Sequence, residues 1–218
     1  MIYTKVLRNY CLQNPGIVFD ISNEYKGHFN MIPYHSYIKI LHRLAEEGIL
    51  IRYSRKAFLV APNGNFDLDN IIFFYTCRNH GLSIGYKFYN EINVTDYKEK
   101  TIRILTDLID TKTKTIGDYK LERLDLEDIT ENDICLIRLL ELIQNRHNII
   151  DRDDKKIDEM IEIYISSYSD IGFEKVIKAR KYSFSTICTL DRLLKEYHIR
   201  ENGCINIYNS IFLSNGSK

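Results

Sequence analysis

The sequence predicts an α+β protein of two domains, on three observations. Residues 33–60 switch from helical to strand periodicity within one short segment. A Pro/Gly/Asn-rich stretch, Ala61-Pro62-Asn63-Gly64-Asn65, follows directly and reads as a boundary. Beyond it, alternating segments give way at Thr130 to helical patterns that continue to Tyr197. At 218 residues the chain is long enough for two modest cores. The expected division is 1–62 and 66–218, the second part a mixed domain of small antiparallel sheet and helices.

Taken in order, Tyr3, Val6, Leu7, Tyr10 and Cys11 recur at helical steps, and Asn14-Pro15-Gly16 closes that helix. Ile17 to Ile21 reads as a short strand. Ser22 to Asn30 should hold the next helix, although its apolar spacing is poor. Pro33 suits a first helical position, where its missing N–H costs nothing. Tyr37, Ile40, Leu41, Leu44 and Ala45 then form one apolar stripe, with His35, Ser36, Lys39, His42, Arg43 and Glu46 opposite. Gly48 follows, able to take the left-handed conformation that ends helices. Ile49–Tyr53 and Ala57–Val60 read as strands joined across Ser54-Arg55-Lys56.

An amphipathic helix, a glycine stop and a basic hairpin make the recognition helix and wing of a winged helix-turn-helix. A helix in the major groove reads base edges mostly with its N-terminal residues, while bases elsewhere meet phosphates. Tyr34, His35, Ser36 and Lys39 are therefore the expected base-reading residues. Arg43 is placed for either bases or backbone, and Arg52 for phosphate. Arg55 and Lys56, at the wing tip, suit phosphates or the minor groove. The expected partner is double-stranded DNA.

Charge supports a division of labour. The formal net charge is zero, which argues against a protein that coats nucleic acid indiscriminately. Yet residues 1–66 carry eight Lys/Arg against four Asp/Glu, and residues 121–163 are acidic. The five cysteines are odd in number and never spaced C-x-x-C, so they read as reduced, mostly core residues of a cytoplasmic protein. No signal peptide opens the chain, and its apolar runs are too short to span a bilayer.

In the second part, Leu68–Cys77 and Gly85–Asn93 read as helices, with Tyr86, Phe88, Tyr89 and Ile92 available for packing. Thr101–Leu108 and Tyr119–Leu126 alternate like two strands around a Thr/Lys-rich turn, Thr111–Thr115. Thr130-Glu131-Asn132-Asp133 caps a helix through Ile134, Ile137, Leu140 and Leu142 to Gln144. Lys156–Ser166, Gly172–Lys181 and Ser185–Tyr197 read as three more.

Catalytic signatures are wanting. His35 and His42 are seven residues apart, about 10 Å along a helix and too far to share a metal. The other histidines lack partners at ligand spacing, and no phosphate-loop, dinucleotide or nucleophile-elbow motif occurs. Two acidic clusters, Asp107/Asp110/Lys112 and Asp151/Asp153/Asp154/Lys155/Lys156, have the composition of a magnesium-dependent nuclease site. Such runs are more often helix starts or solvated turns. The expectation is a non-enzyme with no metal or cofactor.

The segments SYIKILHRLAEEGILIRYSRKAFLVAPN, HGLSIGYKFYNEINVTDYKEKTIRILTD, GDYKLERLDL and ICLIRLLELIQN resemble the AbiEi-type antitoxin family of bacterial type IV toxin–antitoxin systems. The resemblance covers residues 1–145. It implies an N-terminal winged helix-turn-helix that represses its own operon's promoter. It also implies a second domain that counters a nucleotidyltransferase-type toxin. The chain departs from the family pattern at Ile92-Asn93-Val94-Thr95-Asp96, and at Ala57, where the family's wing carries glycine. The alternatives are a stand-alone winged-helix regulator without a toxin partner and a metal-dependent nuclease targeted by a winged helix.

Overall fold

The computed structural model describes residues 2–52, 57–61, 69–109, 111–116, 118–126 and 129–212. The fold is α+β, and the chain divides into two compact units. One is Met1–Phe74 with Leu108–Asp110; the other is Tyr75–Asp107 with Thr111–Lys218.

The first unit runs α1 (Ile2–Gln13), β1 (Val18–Asp20), α2 (Ile21–Glu24), a π-helical turn (Tyr25–Phe29), α3 (Tyr34–Glu46), β2 (Leu50–Arg52) and β3 (Ala57–Val60). β3 is the central strand, antiparallel to both neighbours in the order β1-β3-β2. Phe19 lies opposite Phe58, and Ile51 opposite Leu59. All four β3 residues are buried, which accounts for their unbroken apolar run. α1 buries only Leu7 and Cys11, one ridge at i, i+4; Tyr3 and Val6 of the expected stripe are exposed.

The poor spacing of Ser22–Asn30 has a physical cause. The Asp20 carboxylate caps α2, accepting from the Asn23 N–H at 2.8 Å. After barely one turn the helix widens into the π turn. That turn closes i→i+5 bonds and breaks the 3.6-residue period, so the segment folds helically without showing a helical stripe.

α4 (Asp69–Thr76) spans the division, its residues to Phe74 belonging to the first unit. The second unit contains β4 (Gly81–Ile84), α5 (Tyr86–Glu91), β5 (Ile102–Thr106), β6 (Thr113–Ile116) and β7 (Tyr119–Arg123). Helices α6 (Glu131–Asn145), α7 (Asp154–Ile165), α8 (Asp170–Ala179), α9 (Phe184–Glu196) and α10 (Cys204–Phe212) follow. The sheet is not the purely antiparallel one expected from the sequence. The sheet is mixed, in the order β4-β5-β7-β6, and β5 and β7 pair in parallel with Ile104 opposite Leu121. The Thr/Lys segment read as a turn contains β6, which is antiparallel to β7 at the sheet edge. Its Thr-Lys-Thr pattern fits an edge: β-branched threonine favours extended backbone, and lysine discourages further pairing. The β6–β7 hairpin turns the chain back into the direction of β5, which makes the parallel pair possible.

α6 is the axis of the helical part. Thr130 and Asp133 form a reciprocal capping box at its start, and Leu136, Ile137, Leu139, Leu140 and Leu142 are buried along it. α7, α8 and α9 pack against it. Phe88 and Tyr89 of α5 enter the same core, as their spacing suggested, while Tyr86 stays half-buried. α10, absent from the sequence reading, buries Cys204 and Tyr208, and the Tyr208 hydroxyl donates to the Tyr182 carbonyl at 3.2 Å. The cysteines are all free, but only Cys11 and Cys204 are buried, so most of them are not core residues.

Charges inside this unit are paired. Arg180 lies 3.2 Å from Glu122 and 3.7 Å from the buried Glu141, and Arg103 lies 2.9 Å from Glu122. Burial alone would raise the Glu122 carboxyl, but the two guanidinium groups outweigh it and hold it below the ordinary range. The cluster ties β5, β7 and α6 to the end of α8.

Candidate nucleic-acid interface

α3 owes its position to one buried side. Tyr37, Ile40, Leu41 and Leu44 face the core, and Tyr37 is fully enclosed. Its ring packs among Tyr25, Phe29 and Phe19 at centroid distances of 5.1, 5.8 and 6.3 Å. Its hydroxyl donates to the Ile21 carbonyl at 3.0 Å, which satisfies a buried polar group and fixes the rotation of α3 against α2. Burial, with Glu24 nearby, pushes that phenol far above its ordinary pKa, so it stays neutral.

Both ends of the helix are defined. Pro33 is the residue before the first helical position rather than the first position itself, with ψ at 127°. Extended backbone there lets the chain enter the helix abruptly. At the other end, Gly48 N–H donates to Ala45 (3.1 Å) and Ile49 N–H to Leu44 (2.9 Å). With Gly48 at φ +75°, this is a Schellman stop. The thirteen residues between make a rod of about 20 Å.

The outward side presents the residues expected from sequence. Tyr34 is 51% exposed, and its ring stands edge-on to Tyr25 at 5.0 Å. His35, Lys39 and Arg43 are exposed, and Ser36 is partly so. At 100° per residue, Ser36, Lys39 and Arg43 share one strip of helix surface, and His35 adjoins it. An ammonium, a guanidinium, a hydroxyl and an imidazole on one exposed strip offer donors suited to phosphate oxygens and base edges. Glu47, which would oppose an anion, is ion-paired with Arg8 of α1.

Arg52, exposed at the end of β2, lines a cavity of about 190 Å³ with Tyr34, Ser22, Ile38 and His42. His42 is the residue that sequence reasoning left out of the site. It is exposed, and its ring stands edge-on to Phe58 at 6.1 Å. Its place seven residues after His35 and three after Lys39, on the same helix side, was the signal available. Arg55 and Lys56, expected at the hairpin tip, lie outside the described residues.

The acidic clusters have other engagements. Asp107 accepts from His80 at 3.1 Å. Asp153 caps α7 through the Lys156 N–H at 3.1 Å, and Asp154 pairs with Arg146 and Arg152. Asp110 lies outside the described residues. No group of three or more His, Cys, Asp or Glu side chains is arranged to hold a metal among the described residues. None of the described helices is long and apolar enough to cross a membrane. Compared with known proteins, the chain matches no protein-family model and no curated protein.

Proposed function

We propose that the first unit is a winged helix-turn-helix that binds duplex DNA, with α3 as its recognition helix. The observation that carries this reading is the order α1-β1-α2-α3-β2-β3 with strand order β1-β3-β2, which leaves the Ser36/Lys39/Arg43 strip of α3 facing outward. A helix of that width fits the major groove, and its N-terminal Tyr34, His35 and Ser36 are suited to base edges. Arg43 and Arg52 neutralise phosphates, joined by Arg55 and Lys56 from the hairpin segment.

The resemblance in sequence extends the reading to an AbiEi-type antitoxin. In that role the chain represses its own promoter and counteracts a nucleotidyltransferase-type toxin, without chemistry of its own. The test is fluorescence anisotropy with the duplex upstream of the protein's own gene, against a scrambled duplex. Tighter binding to the upstream duplex is expected, and the Lys39→Ala/Arg43→Ala double variant should weaken it at least about tenfold with an unchanged circular dichroism spectrum. Unaltered affinity in that variant removes α3 from the interface. Co-expression with a growth-arresting nucleotidyltransferase encoded next to the gene tests the second role. Rescue of growth supports the antitoxin, and failure to rescue leaves a stand-alone regulator.

A further inference from the structure

The second unit holds a different kind of surface. Between the end of α6, α7 with the segment leading into it, and α9 from Ser185 to Leu193 lies a groove of about 690 Å³. That is the size range of sites for small organic ligands. Three arginines line it, Arg146, Arg152 and Arg192, together with His147, and Asp154 is the one carboxylate among the lining residues. This concentration runs against its surroundings, since residues 67–218 hold 22 Lys/Arg and 26 Asp/Glu. A cationic concavity in an otherwise acidic body concentrates the field at one point.

The arginines differ in how they are held. Asp154 lies 3.2 Å from Arg146 and 3.1 Å from Arg152, so one carboxylate orients two guanidiniums. Asp158 holds Arg146 from the other side at 2.6 Å. The Arg192 side chain has no hydrogen bond or ion pair among the described residues. A fixed pair and an unengaged third guanidinium, converging on one cavity, match a ligand with several anionic oxygens. Ser185 and Thr189 add hydroxyls on the α9 wall, and Ile143, Ile161 and Leu193 give the groove an apolar part.

From this geometry we infer that the groove binds the phosphate chain of a nucleotide-sized ligand, with Arg192 as the principal contact and Arg146 and Arg152 as preset partners. The apolar part is then available to the remainder of the molecule. The site is independent of α3 and of the DNA-binding reading.

Calorimetry on the full-length chain with ATP and with inorganic pyrophosphate tests it, in buffer free of other phosphate. Saturable binding of both, weakened at least about tenfold by Arg192→Ala, is the expected result. Tighter binding of ATP than of pyrophosphate adds that the apolar part is used; equal binding confines recognition to the phosphates, and both outcomes support the site. Lys39→Ala/Arg43→Ala should leave this binding unchanged. The proposal is overturned if neither probe binds at millimolar concentration. It is equally overturned if binding survives Arg192→Ala or is lost only in the α3 double variant. Arg192 is exposed, so its removal spares the core.

Discussion

Asp133 shows how a single carboxylate can be read in two ways. In the sequence it belongs to a capping signal, and it does accept from the Thr130 backbone N–H at 2.9 Å. It also receives Lys175 of α8 at 2.7 Å while almost wholly buried, a tertiary contact that no local pattern announces. Burial by itself would raise this carboxyl. The hydrogen bonds from Lys175 and Thr130 outweigh burial and hold it below the usual 3.8. A carboxyl depressed in the folded state contributes stability above its unfolded pKa and loses it as pH falls through the folded one. The stability difference between wild type and Asp133→Asn, from urea unfolding, should therefore be constant above about pH 5 and shrink below pH 4. At neutral pH that difference should be on the order of 2 kcal/mol, the scale of a buried charged hydrogen bond. A difference independent of pH down to 2 would show that the carboxylate is not what Lys175 recognises.

At the scale of elements, legibility followed periodicity. α3 was readable because one stripe faces a core and one faces outward, and both its glycine stop and its exposed basic residues fall where the spacing placed them. The α2 segment was obscure because a π turn shifts the register of its apolar positions. β4 and β6 were missed for opposite reasons: β4 is four residues buried on all sides, and β6 is polar along an edge. β6 lacks the apolar alternation that strands are read by, and β4 alternates Leu82 and Ile84 with Gly81 and Ser83 over only four residues, too short a run to register. Gly81 makes β4 possible. A Cβ there would stand 2.0 Å from the Leu105 carbonyl oxygen and 2.6 Å from that of Tyr75, both backbone atoms that cannot swing aside. Gly48 is the contrast, with open space but a left-handed backbone. Gly81→Ala should cost about 3 kcal/mol or more, by forcing β4 off β5, whereas Gly48→Ala should cost about 1 kcal/mol. Urea midpoints on the two variants decide the order, and equal losses would contradict the close approach of β4 to β5.

For the whole molecule, the informative quantity is how charge is distributed rather than its sum of zero. The basic strip of α3 was legible because its residues are neighbours in sequence. The arginine groove was not, because Arg192, its principal contact, stands 40 residues beyond Arg152 and only folding brings it to Arg146 and Arg152. This distribution has a measurable consequence for DNA binding. If the first unit meets the duplex through α3 and the hairpin alone, the phosphate contacts are limited to at most Lys39, Arg43, Arg52, Arg55 and Lys56. Each neutralised phosphate adds about −0.9 to the slope of log K against log salt, so the wild-type slope should be no steeper than about −4.5. Arg43→Ala then separates its two candidate roles. A phosphate contact predicts a slope shallower by about 0.9 with an unchanged preference for the upstream duplex over the scrambled one. A base contact predicts a nearly unchanged slope and a preference reduced by about 1 to 3 kcal/mol. A wild-type slope much steeper than about −4.5 would require further cations, either Lys5, Arg8 and Lys26 of the first unit or the arginine groove of the second. A slope made shallower by Arg192→Ala would point to the groove.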